Sequence, residues 1–417
     1  MNGRKIGLLV LFAVQMHVVT GQIPYSDNSV NTITTAVPFA GIITNTQSRG
    51  MGCLGVVASD LYTHNGLEQN PALLSRGKKV SGFEINYMPW LRKLVPDLNL
   101  YEAGFFHSVN ENNAFGISLV YFDLGEILLT NNQGLFVGQS NPWELMVSLK
   151  YAHSFSEHFS MGAGIRYIHS DLTNDLTLPG GLETHAGQSV AGDLGFDYRN
   201  YLLKRGNVTV KIDAGLAILN IGSKVKYTDS VETGDFIPQI IKVGTMFTTG
   251  WMLKSGNYLA LDVAYQADKL LVPSPPVYEV DINGNIVFDS NNEPVIAEGM
   301  DPDVGVMKGI VQSFYDAPGG VEEELHEIMH MFATEARVIF LQQRVLTAIR
   351  AGYFHEHETK GNRKFYTLGL GGGYAGLRLD FSYLFPVSQR SPLENTWSIS
   401  LSTKFNLGSD QFFRFVE

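Results

Sequence analysis

From about Ser81 onward the chain alternates apolar and polar residues with a period of two. In 143–151 one face carries Trp143, Leu145, Val147, Leu149 and Tyr151, and the other Glu144, Met146, Ser148 and Lys150. In 377–385, Leu377, Leu379, Phe381, Tyr383 and Phe385 face away from Arg378, Asp380, Ser382 and Leu384. In 397–405, Trp397, Ile399, Leu401, Thr403 and Phe405 oppose Ser398, Ser400, Ser402 and Lys404. Period two over such lengths is the mark of a strand with two unlike faces. Clusters of Gly, Asn, Asp and Pro separate the segments. The pattern predicts about fourteen strands, centred near 85, 103, 118, 147, 164, 194, 212, 244, 262, 339, 349, 368, 381 and 401. Several reach nine to eleven residues, the length a tilted strand needs to cross a bilayer.

A soluble β-sandwich or lipocalin-like barrel would also alternate, with its apolar face inward. Here the polar face is built of small and charged residues, as a lumen would be. Aromatic residues sit at strand ends, in the pairs Trp143/Tyr151 and Trp397/Phe405, as at lipid–water interfaces. Backbone groups in a bilayer must all pair, so the sheet must close on itself. The expected fold is therefore all-β: a transmembrane antiparallel β-barrel over 79–407. An even strand count puts both termini on the periplasmic side.

The flanking segments differ. Arg4 and Lys5 precede an apolar run, Ile6 to Val19, broken by Gln15 and His17, and Val19-Thr20-Gly21 ends it. That order predicts a cleaved signal peptide over 1–21 and export to the outer membrane. Residues 22–78 lack alternation and are rich in Gly, Asn, Thr and Ser. The pattern breaks again over 272–333, which opens on Pro273-Ser274-Pro275-Pro276 and closes with a helical stretch from Val321 to Phe332. A loop of that length points to function. It follows the ninth, outward-running strand and is expected to be extracellular. Residues 408–417 form a tail.

Composition agrees with this picture. Charged residues are 17% of the chain, against roughly 25% in soluble domains; Gly (43) and aromatics (11%) are abundant. The net charge of −11 argues against a nucleic-acid partner. Cys53 is the sole cysteine, so there is no intrachain disulfide, and a small buried thiol is expected.

Several motifs invite chemistry. His326-Glu327-Ile328-Met329-His330 matches the zinc-protease helix pattern, but no third ligand stands at a recognisable spacing. Leu325, Ile328, Met329 and Phe332 give that stretch an ordinary amphipathic face. Gly371-Gly372-Gly373-Tyr374-Ala375-Gly376 matches GxGxxG but opens no helix, so a tight turn and close strand packing explain it better. Asp281 to Asp289 resembles part of a calcium loop with the wrong spacing; an Asn-Gly hairpin turn is the simpler account. His355 and His357 flank Glu356 as solvated loop histidines. No Ser/His/Asp or Cys/His set emerges, and no residue is assigned a catalytic, cofactor or metal role.

Several phrases in order along the chain resemble the PorV (LptO) family, outer-membrane components of the type IX secretion system. These are residues 31–43 (Asn-Thr-Ile-Thr-Thr-Ala-Val-Pro-Phe-Ala-Gly-Ile-Ile), Ser48-Arg49-Gly50-Met51-Gly52, Asn70-Pro71-Ala72, and above all Tyr87-Met88-Pro89-Trp90-Leu91-Arg92-Lys93-Leu94-Val95-Pro96-Asp97-Leu98-Asn99-Leu100. Phe122-Asp123-Leu124-Gly125-Glu126-Ile127, Arg350 to Glu356, Lys360 to Gly369 and Leu379 to Leu384 complete the set. The chain departs from the pattern at Cys53-Leu54 and Gln69. The resemblance implies a FadL-like barrel of fourteen strands whose 22–78 segment is a luminal plug, and no catalysis. It implies binding of secreted cargo C-terminal domains at a SprA/Sov-type translocon and delivery to a PorU-type sortase attachment complex. It also implies a link to lipopolysaccharide deacylation, with outer-membrane lipid and lipopolysaccharide among the partners. FadL-like transport of hydrophobic molecules is the alternative.

Overall fold

A computed structural model describes residues 30–59, 63–76, 80–130, 136–172, 177–178, 182–229, 233–283, 285–340 and 344–405. The expected signal peptide and the 408–417 tail lie outside the described residues.

Fourteen strands close into one antiparallel barrel. They are β1 Ser81–Pro89, β2 Asn99–Ser108, β3 Asn113–Asp123, β4 Trp143–Ser154, β5 Phe159–Asp171, β6 Gly187–Arg205 and β7 Val208–Gly222, followed by β8 Ile240–Met252, β9 Tyr258–Leu270, β10 Met329–Phe340, β11 Val345–His355, β12 Lys364–Tyr374, β13 Leu377–Pro386 and β14 Trp397–Phe405. β1 pairs with β14, from Ser81↔Phe405 to Tyr87↔Ile399, and closes the sheet into a barrel. Each strand neighbours the next in sequence, so the order follows from the chain itself.

The two faces are sorted as a membrane barrel requires. Leu149, Ile165, Val190, Val263, Ile349 and Leu379 face outward and are exposed, while Ser148, Lys150, Arg166, Asp193, Asp262 and Asp380 face inward and are buried. A soluble barrel has the reverse polarity. Aromatic rings mark both edges of the apolar band. At one edge Trp397, Tyr87, Tyr101, Tyr121, Trp143 and His169 run in sequence around the wall, with centroids 4.8–6.4 Å apart. At the other, Phe115 meets Tyr151 at 5.0 Å and Phe155 meets Phe159 at 6.0 Å. From Trp143 to Tyr151 the strand covers about 26 Å at ~3.3 Å per residue. A tilt of ~40° leaves a band roughly 20 Å tall, close to that of membrane barrels.

The connections are sorted too. Those after β1, β3, β5, β7, β9, β11 and β13 are long, and the largest covers 271–328; those after the even-numbered strands span two to five residues. The barrel thus has a long-connection end and a short-turn end.

One expectation is corrected. The helical stretch from Val321 to Phe332 stops early: α-helix Gly320–His326 is followed by β10 from Met329. Met329, Met331 and Ala333 are buried in the barrel while Phe332 is exposed outside, and Asp268↔Met329 opens the ladder with β9. A short apolar run fits both periods, and pairing with β9 decides it. β1 starts and β14 ends at the short-turn end, whereas Asn31 bonds Thr359 at the opposite end, so the chain runs through the lumen before it enters β1.

The filled lumen and the long-connection end as candidate functional surfaces

The N-terminal segment enters at the long-connection end. Asn31 N donates to Thr359 O (3.0 Å), and Asn31 Nδ2 to Glu323 Oε1 (2.9 Å) and Pro275 O (3.1 Å). Val37, Phe39 and Ala40 then meet Met88, Leu100, Phe122 and Ile168 in an apolar layer inside that rim. Helix α1 (Thr46–Gly50) follows, capped by Asn45 Oδ1 accepting from Ser48 N. Next come Leu54, Val56 and Val57, against Leu219, Met246, Met331 and Phe354. Helix α2 (Asn65–Glu68) and the 3-10 turn Pro71–Arg76 reach the short-turn end, where Leu67 and Leu74 contact Phe106, Ala114 and Ala152.

Polar bonds tie each level to the wall. Asn45 Nδ2 donates to Glu84 Oε1 (2.6 Å), Gly52 N to Thr367 Oγ1 (2.8 Å), and Gly55 N and Val56 N both to Gln266 Oε1 (2.9 Å each). Arg76 Nε reaches Asp197 Oδ2 at 2.8 Å and its Nη2 reaches Asp213 Oδ1 at 2.8 Å. Main chain also touches main chain. A Cβ at Gly352 of β11 would lie 2.1 Å from Gly52 N, and Gly52 itself holds φ +65° against Tyr353.

The inward charges form alternating ladders. Arg337 of β10 reaches Asp262 of β9 and Glu335 (2.7 Å). Arg350 of β11 reaches Glu335 Oε2 (2.5 Å) and Asp380 Oδ1 of β13 (2.9 Å), and Asp380 Oδ2 accepts from Gln47 of α1 (3.2 Å). Opposite, Arg166 links Asp193 (2.5 Å) and Glu68 of α2 (2.6 Å). Buried charge is costly unless paired and hydrogen-bonded, and here wall and segment supply each other's counter-ions.

At the long-connection end, the 271–328 connection carries a hairpin, Val277–Tyr278 against Ile296–Glu298, extended by bridges Val280↔Ile286 and Phe288↔Pro294. Asp281 Oδ1 accepts from Asn283 N and Asn285 N, so that carboxylate holds a turn; Gly284 lies outside the described residues. The arm exposes Val280, Phe288 and a fully exposed Ile282. Helices α3 (Val306–Gln312) and α4 (Gly320–His326) expose Met307, Val311, Val321 and Leu325. Apolar surface of this kind outside the bilayer marks a contact site.

The arm stands on a rigid foot. Ser274 Oγ donates to Glu327 Oε1 (2.5 Å), Lys360 Nζ reaches Glu327 Oε1 (2.9 Å), and Lys269 Nζ reaches Glu324 Oε2 (3.0 Å). Burial pushes the Asp316 carboxyl up to about 6, against the pull of hydrogen bonds from the Ser274 amide and Gln312.

The sequence motifs are dispersed by the fold. His326 ends α4 and stacks on His357 at 3.5 Å, whereas His330 lies on β10 and bonds Tyr265 OH at 2.8 Å. Burial and the facing His326 ring hold the His357 imidazole below its ordinary value. Glu327 is taken by the foot, and Glu356 by Arg363 (2.6 Å). Gly371 to Tyr374 continue β12, and Ala375-Gly376 make its turn. Among the described residues no group of three potential metal ligands gathers. The ion-pair ladders, the glycine contact and the route of the N-terminal segment were missed from sequence. Glycine on the polar face of a strand, where a side chain belongs, was the available signal.

A family model described as "Type IX secretion system protein PorV" matches residues 25–277. No curated protein matches the sequence. Among solved structures the chain is similar to the toluene transporter TbuX of Ralstonia pickettii, at 12% identity and TM-score 0.40, covering 89% of this chain and 98% of that one. It is similar to a FadL homologue of Pseudomonas aeruginosa, at 11% identity and TM-score 0.38, covering 91% and 100%. It is also similar to the Pseudomonas putida toluene transporter TodX, at 9% identity and TM-score 0.39, covering 90% and 98%.

Proposed function

The chain belongs to the PorV family of type IX secretion proteins and is an outer-membrane β-barrel, and from that premise we propose that it works by contact, as a cargo carrier. It binds the C-terminal domain of secreted cargo at a SprA/Sov-type translocon and hands it to a PorU-type sortase complex at the cell surface, beside lipopolysaccharide. It binds and delivers, and catalyses nothing.

The observation that carries this reading is the filled lumen. Residues 36–59 and 63–76 act as a plug held to the wall by bonds such as Gly52 N to Thr367 Oγ1 and Arg76 to Asp197. A folded domain has no route through it. Function then falls to the outer surfaces. Barrels of this kind place short turns in the periplasm and long connections outside, so the 277–298 arm and helices α3 and α4 offer their apolar residues to partners at the cell surface.

Tagged full-length protein purified in mild detergent is expected to bring down the translocon and cargo C-terminal domains. Replacing 277–298 by a short Gly-Ser linker is expected to remove at least one of them, with the barrel still folded by heat-modifiable migration. Absence of both partners from the intact protein sinks the proposal.

A further inference from the structure

The short-turn end holds a sheet edge that the barrel does not use. β6 is the longest strand. It pairs with β7 as far as Arg205↔Val208, but its ladder with β5 stops at Tyr198↔Phe159. The β4–β5 turn meets only the root of the overhang, where Arg199 N donates to His158 O (2.8 Å) and Arg199 Nε to Glu157 O (3.0 Å). Beyond that root no strand among the described residues pairs with the β5-facing edge of Leu202–Arg205. Tyr201, Leu202 and Leu203 are exposed, which is the state of a protrusion past the barrel wall. A register shift between Tyr201 and Leu203 twists the edge.

The edge is also basic on an acidic protein. Lys204 lies over the Tyr201 ring at 3.7 Å and Arg205 follows it; the whole chain carries −11. Charge and a bulge keep two copies of such an edge from pairing with each other. They leave it open to a strand of the opposite charge, which gains main-chain hydrogen bonds from the edge and specificity from its side chains.

We propose that the β6 overhang is a periplasmic docking edge that takes an extended peptide segment with alternating apolar and acidic side chains as an added strand. It rests on the reading above only in assigning the short-turn end to the periplasm.

The test uses full-length protein in phosphatidylcholine nanodiscs and two fluorescein-labelled seven-residue peptides, one alternating valine with glutamate and one alternating valine with lysine. Fluorescence anisotropy is expected to show saturable binding of the glutamate peptide alone. Lys204→Glu with Arg205→Glu is expected to weaken it about ten-fold and admit the lysine peptide. Equal binding of both peptides, or an unchanged affinity in the double variant, overturns the proposal. So does loss of peptide binding when phosphatidylglycerol is added to the nanodisc, which would make lipid headgroups the occupant. Sidedness is read separately with Leu202→Cys and a membrane-impermeant maleimide. Labelling only after the outer membrane is permeabilised supports a periplasmic edge. Labelling in intact cells overturns that placement while leaving the peptide measurement to stand or fall by itself.

Discussion

Gly352→Val is expected to turn Cys53 from an inert thiol into one that a water-soluble maleimide alkylates at least about ten-fold faster. Cys53 is buried in the lumen, 8% exposed, one residue past Gly52. Gly352 faces Gly52 so closely that any Cβ meets main chain at Gly52 N (2.1 Å) and at the Met51 carbonyl carbon (2.4 Å). Backbone on backbone has no rotamer by which to escape, so overpacking here costs at the upper end of ~1–3 kcal/mol or beyond. The wall strand is fixed on both sides by β10 and β12, and the luminal segment is the part that yields. Its bonds from Gly52 to Thr367 and from Gly55 to Gln266 go with it. Gly372→Ala on β12, where a Cβ meets nothing within 4 Å, is the control and leaves Cys53 protected. Equal labelling in Gly352→Val and native protein would mean that the segment does not rest on β11.

The second large effect is expected at Arg350. It is the largest of the fully buried side chains, and its guanidinium joins Glu335 and Asp380 across three strands. Arg350→Met leaves two carboxylates inside the barrel with half their compensation, Arg337 for one and Arg378 for the other. Removing one partner of such a buried set costs about 3–5 kcal/mol. The unfolding transition, followed by heat-modifiable migration in detergent, should fall by several degrees. Adding Asp380→Asn to Arg350→Met should recover part of that loss, because the uncompensated charge is then gone. A loss below ~1 kcal/mol for Arg350→Met would show that water, and not the ion-pair ladder, fills this level of the lumen.

The wall of the barrel was legible because a membrane strand writes both of its faces into the sequence. Trp143 to Tyr151 could be read residue by residue, and each expected centre falls inside one of the fourteen strands, though 339 lies at the very end of β10. The start of β10 was not legible, since Met329 to Phe332 carries apolar residues at spacings that suit a helix as well as a strand. The N-terminal segment is the deeper case. Several of its partners are more than a hundred residues away, as with Gly55 and Gln266 or Gly52 and Thr367, and no periodicity reports a contact at that distance. Its direction depends on Asn31 meeting Thr359 at the far rim. The charges on the polar faces could be seen in sequence, but which carboxylate meets which guanidinium depends on register and on the segment between them.

The central claim is that this barrel works with its lumen closed. Asn31 and Thr359 lie together at the rim, joined by a main-chain hydrogen bond of 3.0 Å, so a cysteine pair at these positions is the cross-link to make, with its formation checked by loss of free thiol. The other end of the luminal segment is continuous with β1. Oxidised Asn31→Cys/Thr359→Cys therefore fixes the segment at both ends, and export of cargo carrying its C-terminal domain can be measured in a deletion strain complemented with this variant. Export at the native level with the disulfide formed is the predicted result; export that stops on oxidation and returns on reduction would contradict the account.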